Sequence, residues 1–112
     1  MTKPTEMPAA AALGAAGLAD YQDGAIVSRT LLKRGGGTFT FFAFDAGQAL
    51  SEHTAPFDAI AHVLDGEATI TVDGVTTTVR TGELILLPAN RPHAVAAEQR
   101  FKMLLTMIRS AA

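Results

Sequence analysis

The chain is cut into short β-prone runs by turn residues at close, regular intervals, and that punctuation leaves little room for anything but an all-β fold. Ala25–Lys33 is β-rich and runs into Gly35-Gly36-Gly37. Thr38–Asp45 carries Phe39, Phe41, Phe42 and Phe44 among β-branched threonines and closes at Ala46-Gly47. Ile60–Leu64 leads to Asp65-Gly66, and Ala68–Val72 and Val75–Arg80 flank Asp73-Gly74. A two-residue Asp-Gly loop between β-prone runs is a strong hairpin signal, because its turn needs positive φ. Thr81-Gly82 then precedes Glu83–Leu87, the turn-rich link Pro88–Pro92 precedes a short strand over Pro92–Ala97, and Phe101–Arg109 is the last run. Eight or nine strands and almost no helix predict a double-sheet barrel or sandwich.

At 112 residues the chain suffices for one core. It has no Trp and one Tyr, so the core falls to Phe, Leu, Ile, Val and Met. A net charge of −2 with no basic run gives no expectation of a nucleic-acid or anionic-membrane partner. The apolar stretches are too short for a helical bilayer span. The absence of cysteine excludes disulfides, thiol catalysis and thiolate metal sites.

Residues 1–20 read as an N-terminal arm ahead of a domain over 21–112. Met7-Pro8 and the Ala-rich stretch with Leu13 and Leu18 predict a short helix or loose arm, broken by Gly14 and Gly17. It either packs on a partner subunit or frays. Ala9–Ala19 has the small residues of an export signal but not its Leu-rich centre, and Glu6 precedes it. The expectation is therefore a soluble cytoplasmic protein.

Two histidines stand in glycine-led frames. Gly47 is followed by five residues and His53. Gly82 is followed by five residues and Pro88, then one and Asn90, then two and His93. The glycines suit turns, the prolines stiffen the link that aims His93, and neutral imidazole is the commonest ligand for a transition metal. The segment from Gly47 through His53, Ala55 and Ala59 to Gly66 resembles the first cupin motif. Gly82 through Pro88 and Asn90 to His93 resembles the second. The resemblance covers about half the chain and implies a jelly-roll cupin barrel (RmlC-like, a double-stranded β-helix).

It also implies a cage of three histidines and a glutamate, which this chain departs from. Ala55 stands where the second His would fall, Ala59 at the Glu, and Ala97 at an asparagine that often follows. His53 and His93 remain as ligands for a divalent ion (Zn, Ni, Cu, Fe or Mn). His62 is a third candidate only if a bulge turns it inward, since strand alternation sets residue 62 opposite residue 59. Asp58 and Glu52 are weaker candidates for the same reason. Ala55, Ala59 and Ala61, walled by aromatics such as Phe41, would outline a small-molecule pocket. Three functional readings stay open: a metal-dependent barrel that binds a small organic molecule, a metal-free binding or sensing module, or a homodimer subunit of mainly structural purpose. No hydrolytic triad or paired-carboxylate site is evident. Members of the family commonly pair through their outer sheets, so a homodimer is expected.

Overall fold

A computed structural model describes Glu6–Arg109. The first five residues of the expected arm and the last three of the expected domain lie outside the described residues. The described residues form eight strands: β1 (Ile26–Arg34), β2 (Gly37–Phe44), β3 (Ala49–His53), β4 (Phe57–Val72), β5 (Val75–Arg80), β6 (Leu84–Leu87), β7 (His93–Ala96) and β8 (Phe101–Arg109). Every pairing is antiparallel. One sheet runs β1-β2-β8-β4-β6 and the other β5-β4-β7-β3.

β4 belongs to both sheets. Its first part pairs with β8 and β6, and its last part with β5 and β7. The expected turn at Asp65-Gly66 is instead a corner inside one continuous strand. The register against β8 slips between Val63 and Asp65, and Gly66 takes φ +74. A Cβ at Gly66 would lie 2.2 Å from the carbonyl oxygen of Arg100. Local sequence signals a break here, but a turn and a bulge share the same Asp-Gly chemistry. Asp73-Gly74 does make the expected hairpin, with φ +51 and +80 and Val72 opposite Val75.

Strand alternation sorts the side chains. Phe42, Phe44, Phe101, Met103, Leu105 and Met107 face the barrel interior with Ala59, Ala61, Val63 and Ile70. Phe44 and Phe101 stack with centroids 4.5 Å apart. The opposite face of β1 and β2 holds a second cluster of Leu31, Phe41 and Ala43, covered by Met7, Leu18, Ala19 and Tyr21 of the N-terminal segment. Phe41 is thus no barrel-wall residue. Its chain neighbour Phe42 points inward, and Phe41 points out under the arm with its cross-strand partner Leu104.

The described part of the arm lies against its own chain, with helical structure limited to one 3-10 turn over Ala15–Gly17. Met7 N–H donates to Leu31 O (2.9 Å), Arg29 to Leu18 O (3.0 Å) and Lys102 Nζ to Ala16 O (2.7 Å). The Lys102 ammonium also sits 4.9 Å from the Tyr21 ring centroid. Tyr21 donates to Asp65 (2.5 Å), and burial together with that carboxylate pushes its phenol pKa well up. Lys102 is buried, so its bond to Ala16 is shielded from water. Lys102→Met is expected to cost about 1.5–3 kcal/mol, the range for a hydrogen bond from a charged group. Amide exchange should then quicken over residues 15–21 while the strands stay protected; uniform quickening would contradict the pinning role.

Candidate functional site

His53 ends β3 and His93 begins β7, and the two are cross-strand partners. A register slip between Leu50 and His53 gives β3 an extra residue just before the pair, the local device by which strands re-aim a side chain. The rings meet edge to face, centroids 4.5 Å apart and planes at 68°. His53 is exposed and His93 is buried, at 8% exposure, so the pair opens to solvent on one side only.

Each imidazole is oriented by a backbone carbonyl two residues back. His53 Nδ1 lies 2.8 Å from Ser51 O and His93 Nδ1 lies 3.3 Å from Arg91 O. A carbonyl can only accept, so the proton of each neutral ring belongs on Nδ1, and each Nε2 carries a free lone pair. Burial, and next the neighbouring His53, hold the His93 pKa below the usual histidine value. A neutral, ligand-competent His93 therefore persists at lower pH than an ordinary histidine would.

As pH falls through about 6.5, the unfolded chain takes up a proton at residue 93 before the folded one does. With chelator present, this site makes stability decline from there down to the lowered pKa of His93. A His93→Gln variant should lose less stability than the native chain as pH falls below about 6.5, read from denaturant melts. An equal loss would contradict the assignment.

The link between β6 and β7 is fastened on both sides. Asn90 takes φ +61 and donates its N–H to Ala55 O (2.7 Å). Ala89 N–H donates to Asp58 Oδ1 (2.9 Å). Arg91 pairs with Asp73 (2.5 Å), and Asp73 N–H donates to Pro92 O (2.9 Å). Sequence reading missed the loop-holding roles of Asp58, Asn90 and Asp73. The one available signal was an asparagine, tolerant of the left-handed region, inside a proline-bounded link.

The other predicted residues fall elsewhere. Ala59 and Ala61 face inward, but Met107 and Leu105 are their cross-strand neighbours and both alanines are packed in the core cluster. Ala55 contributes its carbonyl to the loop. His62 is on the outward face of β4, between Leu84 and Leu104, and no bulge turns it inward. Among the described residues no three His, Cys, Asp or Glu side chains gather as a metal cage. His62, Glu52 and Asp58 therefore do not complete the pair. A surface cleft of about 530 Å³ lies apart from it, lined by Thr77–Arg80 and Glu83–Ile85.

Two imidazoles on one ion at about 2.0–2.1 Å, with bond angles from square to tetrahedral, hold their centroids about 4.5–5.2 Å apart. The observed 4.5 Å is at the near end of that range. Spacing and free Nε2 atoms fit a two-imidazole ion site and do not fit a full cage.

The cupin domain model matches residues 40–108, and the chain belongs to that family. It is 34% identical to a conserved protein of unknown function from Streptococcus pyogenes, over 100% of this chain and 98% of that one, with a TM-score of 0.90. It is 45% identical to a cupin 2 conserved barrel domain protein from Leptotrichia buccalis, over 84% of this chain but 46% of that one, at TM-score 0.82. A cupin superfamily protein from Desulfitobacterium hafniense is 27% identical over 97% and 100%, at TM-score 0.88. No curated protein matches. No helix among the described residues is long and apolar enough to cross a membrane.

Proposed function

We propose that His53 and His93 hold one divalent transition-metal ion through their Nε2 atoms and present it to a small anionic oxygen-donor molecule. The observation that supports this reading is that each Nδ1 faces a backbone carbonyl, which leaves the lone pair on Nε2, in two rings whose centroids are 4.5 Å apart. Two neutral imidazoles leave the charge of the ion uncompensated, since among the described residues no carboxylate joins them in a cage. A carboxylate ligand would supply the missing charge and donor atoms. A bound ion would act as a Lewis acid on such a ligand's oxygen. The pair's lower donor count implies weaker binding than a full cage, and its open positions leave room for the molecule.

The test is calorimetric titration of chelator-treated protein with Zn, Ni, Cu, Fe and Mn, followed by small mono- and dicarboxylates. The expected result is one ion per chain, and carboxylate binding only once the ion is present. At an ion concentration a hundred times Kd, stability should rise by about 2.7 kcal/mol. The competing reading, a metal-free binding or sensing barrel, rests on Ala55 and Ala59 in place of ligands. It wins if a carboxylate or other metabolite binds equally well in the presence of chelator.

A further inference from the structure

We propose that a phosphate-binding site lies at one end of the first sheet, where Lys33, Thr38 and Arg109 hold a phosphate group by its oxygens. Residues directly opposite across antiparallel strands share a face. The register sets Lys33 of β1, Thr38 of β2, Met107 of β8 and Ala59 of β4 in one cross-strand row, on the inward face that Met107 and Ala59 occupy. Further along β8, Arg109 stands opposite Phe57 on the same face. Lys33 and Arg109 thus flank Thr38, one directly across and one on the diagonal. Such pairs have Cβ atoms about 4.5–5.5 Å and about 7–8 Å apart, within reach of long side chains.

The polar groups gathered there are unmet. Thr38 Oγ1 is buried with no hydrogen-bond partner, the one side-chain oxygen or nitrogen among the described residues in that state. With Gly37, Phe57, Met107 and Arg109, Thr38 lines a cavity of about 10 Å³, room for about one water-sized atom. The side chains of Arg29, Arg34, Arg80, Arg91 and Arg100 each donate to a backbone carbonyl or pair with a carboxylate. The Arg109 side chain does neither among the described residues. Its guanidinium lies over the Phe57 ring, 4.9 Å from the centroid, a contact that steadies the cation and leaves its N–H groups available. Lys33 is exposed and pairs with no carboxylate among the described residues. Asp58, beside Phe57, faces the other way and accepts from Ala89 N–H.

These groups select phosphate over carboxylate. A guanidinium offers parallel N–H donors that engage two oxygens of one anion. Both oxygens of a carboxylate would be held there, outside the cavity, and the Thr38 O–H would still lack an acceptor. A phosphate group has a third oxygen to place in the cavity. Its second negative charge, present above about pH 6, answers the Lys33 ammonium. The site takes no side chain from His53 or His93, so it stands whether or not that pair holds an ion.

At about pH 7.5, where phosphate is mostly dianionic, calorimetric titration of chelator-treated protein should show one inorganic phosphate bound per chain and no binding of acetate. Lys33→Gln and Arg109→Gln should each weaken phosphate binding by about tenfold or more, as loss of a hydrogen bond to a charged group does. Neither should change the melting temperature of the phosphate-free protein, since both side chains are exposed. Thr38→Val exchanges the hydroxyl for a methyl group. It should weaken binding by about tenfold and leave the phosphate-free protein at least as stable, because it removes an unpartnered buried hydroxyl. His53→Ala should bind phosphate as the native chain does. Methyl phosphate separates the sources of the group: binding as tight as inorganic phosphate identifies a phosphorylated small molecule as the occupant, and its exclusion identifies free phosphate. Absence of phosphate binding at about 10 mM, well above the dissociation constant of even a weak millimolar site, overturns the proposal. So does phosphate binding that survives both Arg109→Gln and Thr38→Val, that is lost in His53→Ala, or that acetate matches.

Discussion

Gly66→Ala is expected to remove about 3–5 kcal/mol of folding stability, through left-handed strain and a steric clash combined. Both costs can be read at this position. The residue holds φ +74, and an added Cβ would meet Arg100 O at 2.2 Å and Phe101 at 3.2 Å. These are backbone and near-backbone atoms where the chain enters β8, so relief requires moving the strand that carries Phe101 and Met103 into the core. Gly47→Ala is the matched control. Gly47 has φ +86, but its Cβ would meet nothing within 4 Å, so it should lose only about 1–2 kcal/mol of left-handed strain. At about 4 °C per kcal/mol for a domain of this size, the melting temperature of Gly66→Ala should fall below that of Gly47→Ala by about 4–16 °C. Equal losses would show that the close approach at the β4 corner adds no cost beyond left-handed strain.

The second large effect is on metal binding. His93→Ala and His53→Ala should each weaken binding of the ion by more than about 100-fold, since even an outer partner of a metal ligand is worth 10–100-fold. His62→Ala should leave affinity unchanged, because His62 points away from the pair between Leu84 and Leu104. His53 is exposed, so its removal should barely touch the stability of the metal-free protein. His93 is buried, and His93→Ala should also destabilise that form. A difference between the two variants in metal-free melting, alongside matched losses in metal binding, separates ligation from packing. If His62→Ala lowers affinity as much as the other two, the assignment fails.

The parts of this molecule legible in the sequence are those where one residue type permits one backbone conformation. Asp73-Gly74 is a hairpin on paper and in space. Gly47 and Gly82 also take positive φ, as glycines leading a turn would. The strand β3 was not legible: Ala-Leu-Ser-Glu-His is mostly polar and exposed, because it lies at the edge of its sheet. Nor was the continuity of β4, since Asp65-Gly66 bends the strand without ending it. Facing was legible where it followed alternation from a known inward residue, as for His62. It failed for Phe41, because Phe39 to Phe44 is apolar on both faces. Pattern alone cannot tell the barrel interior from the sheet face beneath an arm. The pocket outlined by alanines failed for a related reason: Met107 and Leu105 are far from Ala59 and Ala61 in sequence but opposite them in register.

X-ray absorption of the protein loaded with one equivalent of zinc decides whether two imidazoles, and no further protein side chain, hold one ion. The expected shell has two imidazole nitrogens at about 2.0–2.1 Å with water or carboxylate oxygens completing it, and one imidazole fewer in His53→Ala. A shell of three or more imidazoles, or a zinc ion that resembles the free aqueous ion, would contradict it.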